Sequence, residues 1–154
     1  MQIKITGSLD IDIDRVLKNH GLEPNGRVQK FIDSEVIRLM DDYTPDRNGI
    51  LKASIRLNSV IGSGLLTQAT PYARYQYYGK LYVDPVYLKG AFYSDDYGFW
   101  RRPGVKKIPD PSGRELNYST AKSRLAGKMW FERMKADKKD QLLKGAVFIA
   151  GGKI

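Results

Sequence analysis

At 154 residues and 17.5 kDa, with 42% apolar and 28% charged side chains, the chain has the size and composition of one folded domain around a single core. It has no cysteine, which excludes disulfide scaffolds, thiol nucleophiles and thiolate-held zinc or iron–sulfur sites. No run approaches the roughly 20 apolar residues of a membrane helix, and residues 1–7 lack the apolar stretch of an export signal, so the expectation is a soluble intracellular or assembly protein. The net charge of +9 is uneven. Residues 1–43 carry 6 basic and 8 acidic side chains, residues 44–100 carry 6 and 4, and residues 101–154 carry 14 and 5. The last third holds the excess, which suits either a surface facing something negative or a solvated basic face on a terminal helix.

Apolar and polar residues alternate over residues 1–6 as in a short strand, and from Asp12 the spacing of Ile13, Val16 and Leu17 predicts a short helix stopped by Gly21. After the Glu23-Pro24-Asn25-Gly26 turn, with Asn25 as N-cap, Val28, Phe31, Ile32, Val36, Leu39, Met40 and Tyr43 recur at three- and four-residue steps. This is an amphipathic helix of about four to five turns with one stripe to bury, expected to lie against a sheet. It ends at Thr44-Pro45.

Ile50, Leu51, Ala53, Ile55, Leu57 and Val60-Ile61 alternate with polar residues as in a strand with one wet face. Gly62-Ser63-Gly64 then reads as a hairpin turn before a returning strand over residues 65–69. A second short helix is expected from Pro71 to Gly79. Residues 80–120 hold most of the prolines and read as a loop-rich insertion, with short strands near residues 81–87 and 91–93. From Thr120 the pattern turns helical again. Trp130, Phe131, Met134, Leu142, Leu143, Ala146 and Val147 form its apolar stripe among many lysines, and Gly151-Gly152 ends it. The fold class expected is α+β: one domain over residues 1–154, a small antiparallel sheet packed on the long helix, a C-terminal helix and a long aromatic-rich loop region.

Catalytic vocabulary is nearly absent. The sole histidine, His20, sits at a helix C-terminus, and no serine has a nucleophile-elbow pattern. Asp10, Asp12 and Asp14 imitate the opening of a calcium loop, but Arg15 stands where glycine is needed and Gly21 where the closing glutamate belongs. Gly62-Ser63-Gly64 lacks the third glycine and the helix of a dinucleotide site. Asp95-Asp96 suits a solvated turn better than a hydrolytic pair. No catalytic, cofactor-binding or metal-binding residue is therefore nominated, and the expectation is a binding or structural protein.

The positive anomaly is aromatic. Eleven of the 17 aromatic residues fall between Tyr72 and Trp100, and Arg101-Arg102 follow directly. Tyrosine, tryptophan and arginine make interface anchors because each buries much area while keeping a polar handle. The same mixture could stack single-stranded nucleic acid, or some of the side chains could form a local core under the loop. The nominated partner-binding residues are Tyr72, Arg74, Tyr75, Tyr78, Trp100, Arg101, Arg102, Lys106 and Lys107.

Three segments resemble one family. Tyr43-Thr44-Pro45, followed by Asn48-Gly49-Ile50-Leu51-Lys52-Ala53-Ser54, resembles the Y-x-P-x-x-x-G-x-L-x-x-S signature of the minor capsid, or head–tail connector, proteins of long-tailed bacteriophages. Thr70-Pro71-Tyr72-Ala73-Arg74-Tyr75-Gln76-Tyr77-Tyr78-Gly79 is similar to that family's T-P-Y-A-x-x-x-Y-x-G, and Trp130-Phe131-Glu132-Arg133-Met134-Lys135 to its late W-F-E-x-x-K helix. The resemblance implies a small α+β fold of phage neck and tail-completion proteins and a virion location at the head–tail junction, after assembly in the host cytoplasm. It implies a ring of identical subunits, six-fold, between head-closure or adaptor proteins and the tail-tube or tail-terminator proteins. DNA would pass through the lumen without sequence-specific binding, with no membrane and no cofactor involved. The alternative is a basic nucleic-acid-binding module using the last third of the chain.

Overall fold

The structure, a computed structural model, describes residues 12–152; the strand expected over residues 1–6 lies outside them. Helix α1 (Ile13–His20) starts where Asp12 accepts the Arg15 amide at 3.0 Å and stops at Gly21 in the left-handed region, φ 69°. It buries none of its own side chains. Polar ties hold it instead: Arg27 donates to the carbonyls of Asn19 and Ile149, and His20 Nδ1 donates to the Ala150 carbonyl at 2.8 Å.

Helix α2 (Arg27–Met40) follows the expected period, and Val28, Val36, Ile37, Leu39 and Met40 are buried. Its N-cap is Gly26, not Asn25. Asn25 is itself left-handed at φ 60°, so the cap falls one residue later, in extended backbone. At the other end Thr44 turns back on the helix, its hydroxyl and amide both donating to the Met40 carbonyl at 2.9 Å, before Pro45 stops the turn.

Residues 50–58, expected as a strand, form helix α3 (Ile50–Asn58). Leu51 and Ile55 lie four apart on one helical face as readily as they alternate along a strand, and both enter the core. The turn before them decides the outcome. Gly49 adopts φ 78° while Asp46 accepts its amide at 2.6 Å, and Asn48 accepts the Ile50 amide at 3.3 Å, so the helix's first donors are met. Gly62-Ser63-Gly64 is consequently no hairpin turn. Buried Asp33 of α2 gathers it, accepting the amides of Gly62 at 2.7 Å and Gly64 at 3.1 Å, and Gln29 braces the other carboxylate oxygen. Residues 65–69, expected as a returning strand, form no strand.

Helix α4 (Ala73–Tyr78) ends at Gly79 as expected. Four short strands follow: β1 (Tyr82–Val83), β2 (Phe92–Ser94), β3 (Gly98–Trp100) and β4 (Ile108–Pro109). They form two antiparallel ribbons. β1 pairs with β4, Tyr82 opposite Pro109, and β2 pairs with β3, Phe92 opposite Trp100. Helix α5 (Trp130–Ile149) begins ten residues later than the pattern suggested. Before it the chain spends its amides elsewhere, Leu125 on the Asp42 carbonyl and Met129 on the Tyr77 carbonyl.

The class is α+β with a C-terminal helix. The expected packing of α2 on a sheet is corrected: α2 packs along α5, and the core is helix on helix. Val36, Leu39, Met40 and Tyr43 meet Leu51 and Ile55 of α3, Ala73 of α4, and Trp130 and Met134 of α5 in one buried cluster. Trp130 is 1% exposed; its indole N–H donates to Gln68 Oε1 at 3.0 Å and it meets Tyr77 edge-on at 4.7 Å.

Candidate interaction surface

The aromatic segment divides by burial. None of its eleven side chains is fully buried, and Tyr72, Tyr77, Tyr82 and Phe92 are half-buried. Tyr72 and Tyr77 lean on the core cluster, and the Tyr77 hydroxyl donates to Glu132 of α5. Tyr75 meets Tyr82 edge-on at 4.7 Å and Tyr78 meets Tyr77 at 5.4 Å, but each leaves about half its surface open. Arg74 is exposed beside them. Part of the local-core reading therefore holds for α4.

The β2–β3 ribbon differs. Strand alternation sends Phe92 and Trp100 to one face and Tyr93 and Phe99 to the other. On the first face Phe92 and Trp100 stack at 4.9 Å, and Tyr87 closes edge-on at 5.5 Å. On the second, Tyr93 and Phe99 pair at 5.2 Å with nothing over them: they are 64% and 76% exposed, and Tyr97 at the turn is 84% exposed. These three open aromatics form the candidate contact surface.

An isolated two-stranded hairpin is marginal in water, so its support matters. Asp84, buried just after β1, accepts two hydrogen bonds from Arg102, at 2.6 and 2.7 Å, and the amides of Val86 and Tyr87 at 2.9 and 3.1 Å. The Arg102 guanidinium also lies 5.1 Å over the Tyr87 ring. These bonds, Arg102 first, hold the Asp84 carboxyl down to about 2, against the opposing effect of burial. Arg102, nominated as a partner-facing cation, is thus bound inward and fixes the hairpin's base. Lys107 likewise donates to the Gly90 carbonyl, while Arg101 and Lys106 point to solvent. Arg114 grips Asp110 and the Leu88 carbonyl, closing the second side of the base and lowering the Asp110 pKa.

The nominated residues therefore form two groups, one on α4 and one around the hairpin. Nomination missed Tyr93, Tyr97 and Phe99, which are more exposed than Trp100 at 41%. The signal for them was local: aromatics alternating on both sides of a Ser-Asp-Asp-Tyr-Gly turn mark a hairpin.

Elsewhere, a cleft of about 650 Å³ opens beside Pro45, Arg47, Tyr72, Tyr118 and Lys122. Three of its polar groups are occupied in structure: Asp46 caps Gly49, the Tyr118 hydroxyl donates to the Gln76 carbonyl, and Lys122 donates to the Arg47 carbonyl. Among the described residues no cluster of three metal-ligating side chains occurs, and no helix is long and apolar enough to cross a membrane. No protein-family model, curated protein or solved structure matches the chain.

Proposed function

We propose that the chain is a structural protein of the head–tail junction of a long-tailed bacteriophage, a minor capsid, neck or tail-completion protein. It works as a ring of identical subunits joining portal or head-closure proteins to the tail. Its work is shape and charge rather than catalysis. The observation that carries the reading is the solvent-exposed aromatic hairpin on a braced base, a surface built for cover by a neighbour.

The three family-like segments support it in a second way. Tyr43, Leu51, Ala73, Trp130 and Met134, one or more from each segment, share the same buried cluster, and Met129 donates its amide to Tyr77. Residues about ninety positions apart meet in one core, as a resemblance that reflects a shared fold would require.

Immunogold labelling of virions from a phage encoding this chain is expected to mark the junction between head and tail. Label confined to capsid faces or tail fibres, or virions lacking the chain altogether, would overturn the assignment.

A further inference from the structure

A subunit in a closed ring must present two different surfaces, because a head-to-tail contact joins unlike patches. One is the β2–β3 hairpin, whose turn carries Asp95 and Asp96. Both are exposed, and among the described residues neither makes an ion pair or a side-chain hydrogen bond. The hairpin thus ends in two negative charges beside the open faces of Tyr93, Tyr97 and Phe99.

The complementary chemistry lies on α5. Trp130, Met134 and Ala146 turn one side of that helix into the core. The opposite side, by helical geometry, carries Ala136, Leu143 and Val147 in one exposed stripe between Lys139 and Lys144. Asp140 lies on the same side, flanked by Lys139 and Lys144, and among the described residues neither lysine is ion-paired. A second exposed apolar shoulder, Ile50 and Leu57 of α3, offers no comparable charge, because Lys52 and Arg56 there already share Asp41 at 2.8 and 3.6 Å.

We infer that the acidic-tipped aromatic hairpin of one copy docks on the lysine-flanked aliphatic face of α5 of the next copy. Aromatic side chains bury about 150–250 Å² each, so Tyr93, Tyr97 and Phe99 offer on the order of 450 Å² at their observed exposures, Trp100 lying on the hairpin's other face. That falls short of the roughly 800 Å² per partner of a standard interface. A single contact is therefore weak, and closing the ring, which holds each subunit from both sides, makes the assembly stable. This deepens the ring reading and rests on it.

Charge exchange tests it with the full chain. One variant carries Asp95→Lys and Asp96→Lys, the other Lys139→Glu and Lys144→Glu; all four positions are exposed, and circular dichroism should show both folded as wild type. Like charges then face each other at every contact, and each variant alone is expected to lose about 100-fold in self-association by sedimentation velocity. Mixed one to one, every contact between unlike subunits regains opposite charges, so the mixture should reassemble with the two variants in equal numbers. Wild-type protein that assembles while either variant assembles equally well overturns the hairpin-to-helix contact and leaves the ring standing. So does a mixture that stays dissociated. Loss of binding to a 30-base-pair duplex by the Lys139→Glu, Lys144→Glu variant with assembly intact would overturn it too, assigning the helix to DNA. A wild-type chain that stays monomeric at every concentration removes both the contact and the ring.

Discussion

Phe99→Ala separates an interface side chain from a core one. Phe99 is 76% exposed, so about 150 Å² of its surface awaits cover. At roughly 25 cal/mol per Å² that area is worth about 3–4 kcal/mol when a partner closes over it. Tyr93 would still shield part of the site, which leaves a net loss of about 2–3 kcal/mol per contact, or roughly 30- to 150-fold in association. Within the monomer, Phe99 loses only its cross-strand pair with Tyr93, worth about 0.2–1 kcal/mol. The melting temperature of the dissociated chain should therefore fall by no more than about 2–4 °C. A dilution series by sedimentation velocity reads the first effect, and thermal denaturation at the lowest concentration reads the second. Unchanged association would refute the reasoning. So would a fall of 10 °C or more in the monomer, which would place Phe99 in a core.

Three further outcomes are expected. Trp130→Ala should destabilise the monomer by about 3–5 kcal/mol in urea titrations, because it empties the α2–α5 core and strands Gln68 Oε1; Trp130→Phe, which keeps most of the volume, should cost clearly less. The Asp84 carboxyl titrates near 2 in the folded chain against an ordinary 3.8, so its contribution to stability is complete above about pH 4 and lost as pH falls through 2. The amide resonances of Val86 and Tyr87, followed by NMR, should shift with a midpoint near 2, and Arg102→Ala should move that midpoint upward. Duplex DNA binding should be weak and fade between about 50 and 200 mM salt; tight binding that survives there would favour the nucleic-acid module.

How far the sequence revealed the fold depends on how local each signal was. Helices α1, α2 and α4 were legible because their signals are local: the apolar period of α2, the Asp12 cap of α1, and the stops at Gly21, Pro45 and Gly79. Helix α3 was not, since Ile50, Leu51, Ala53, Ile55 and Leu57 satisfy both a two-residue and a four-residue repeat. Only the capping turn at residues 46–49 and the pocket awaiting Leu51 and Ile55 resolve the ambiguity. The late start of α5 has a similar cause: residues before it give their amides to α4 and to the turn that follows α2.

At the surface, the density of aromatics between residues 72 and 100 located the region, but not which side chains face water. Tyr77 and Tyr78 are neighbours in sequence; Tyr77 leans on the core and Tyr78 is left open, a choice made by the rotation of α4 against Trp130. Arg102 looked like a partner contact because its acid, Asp84, is 18 residues away and no local rule couples them. Asp33 and its two glycine amides escaped notice for the same reason, being about thirty residues apart.

The claim on which the rest depends is that the hairpin's open aromatics are covered by sister subunits. Native mass spectrometry of the full-length wild-type chain at micromolar concentration addresses it directly. A single closed species of uniform stoichiometry, six copies by the family resemblance, is the expected result. A spectrum holding only the 17.5 kDa monomer at every concentration would contradict it.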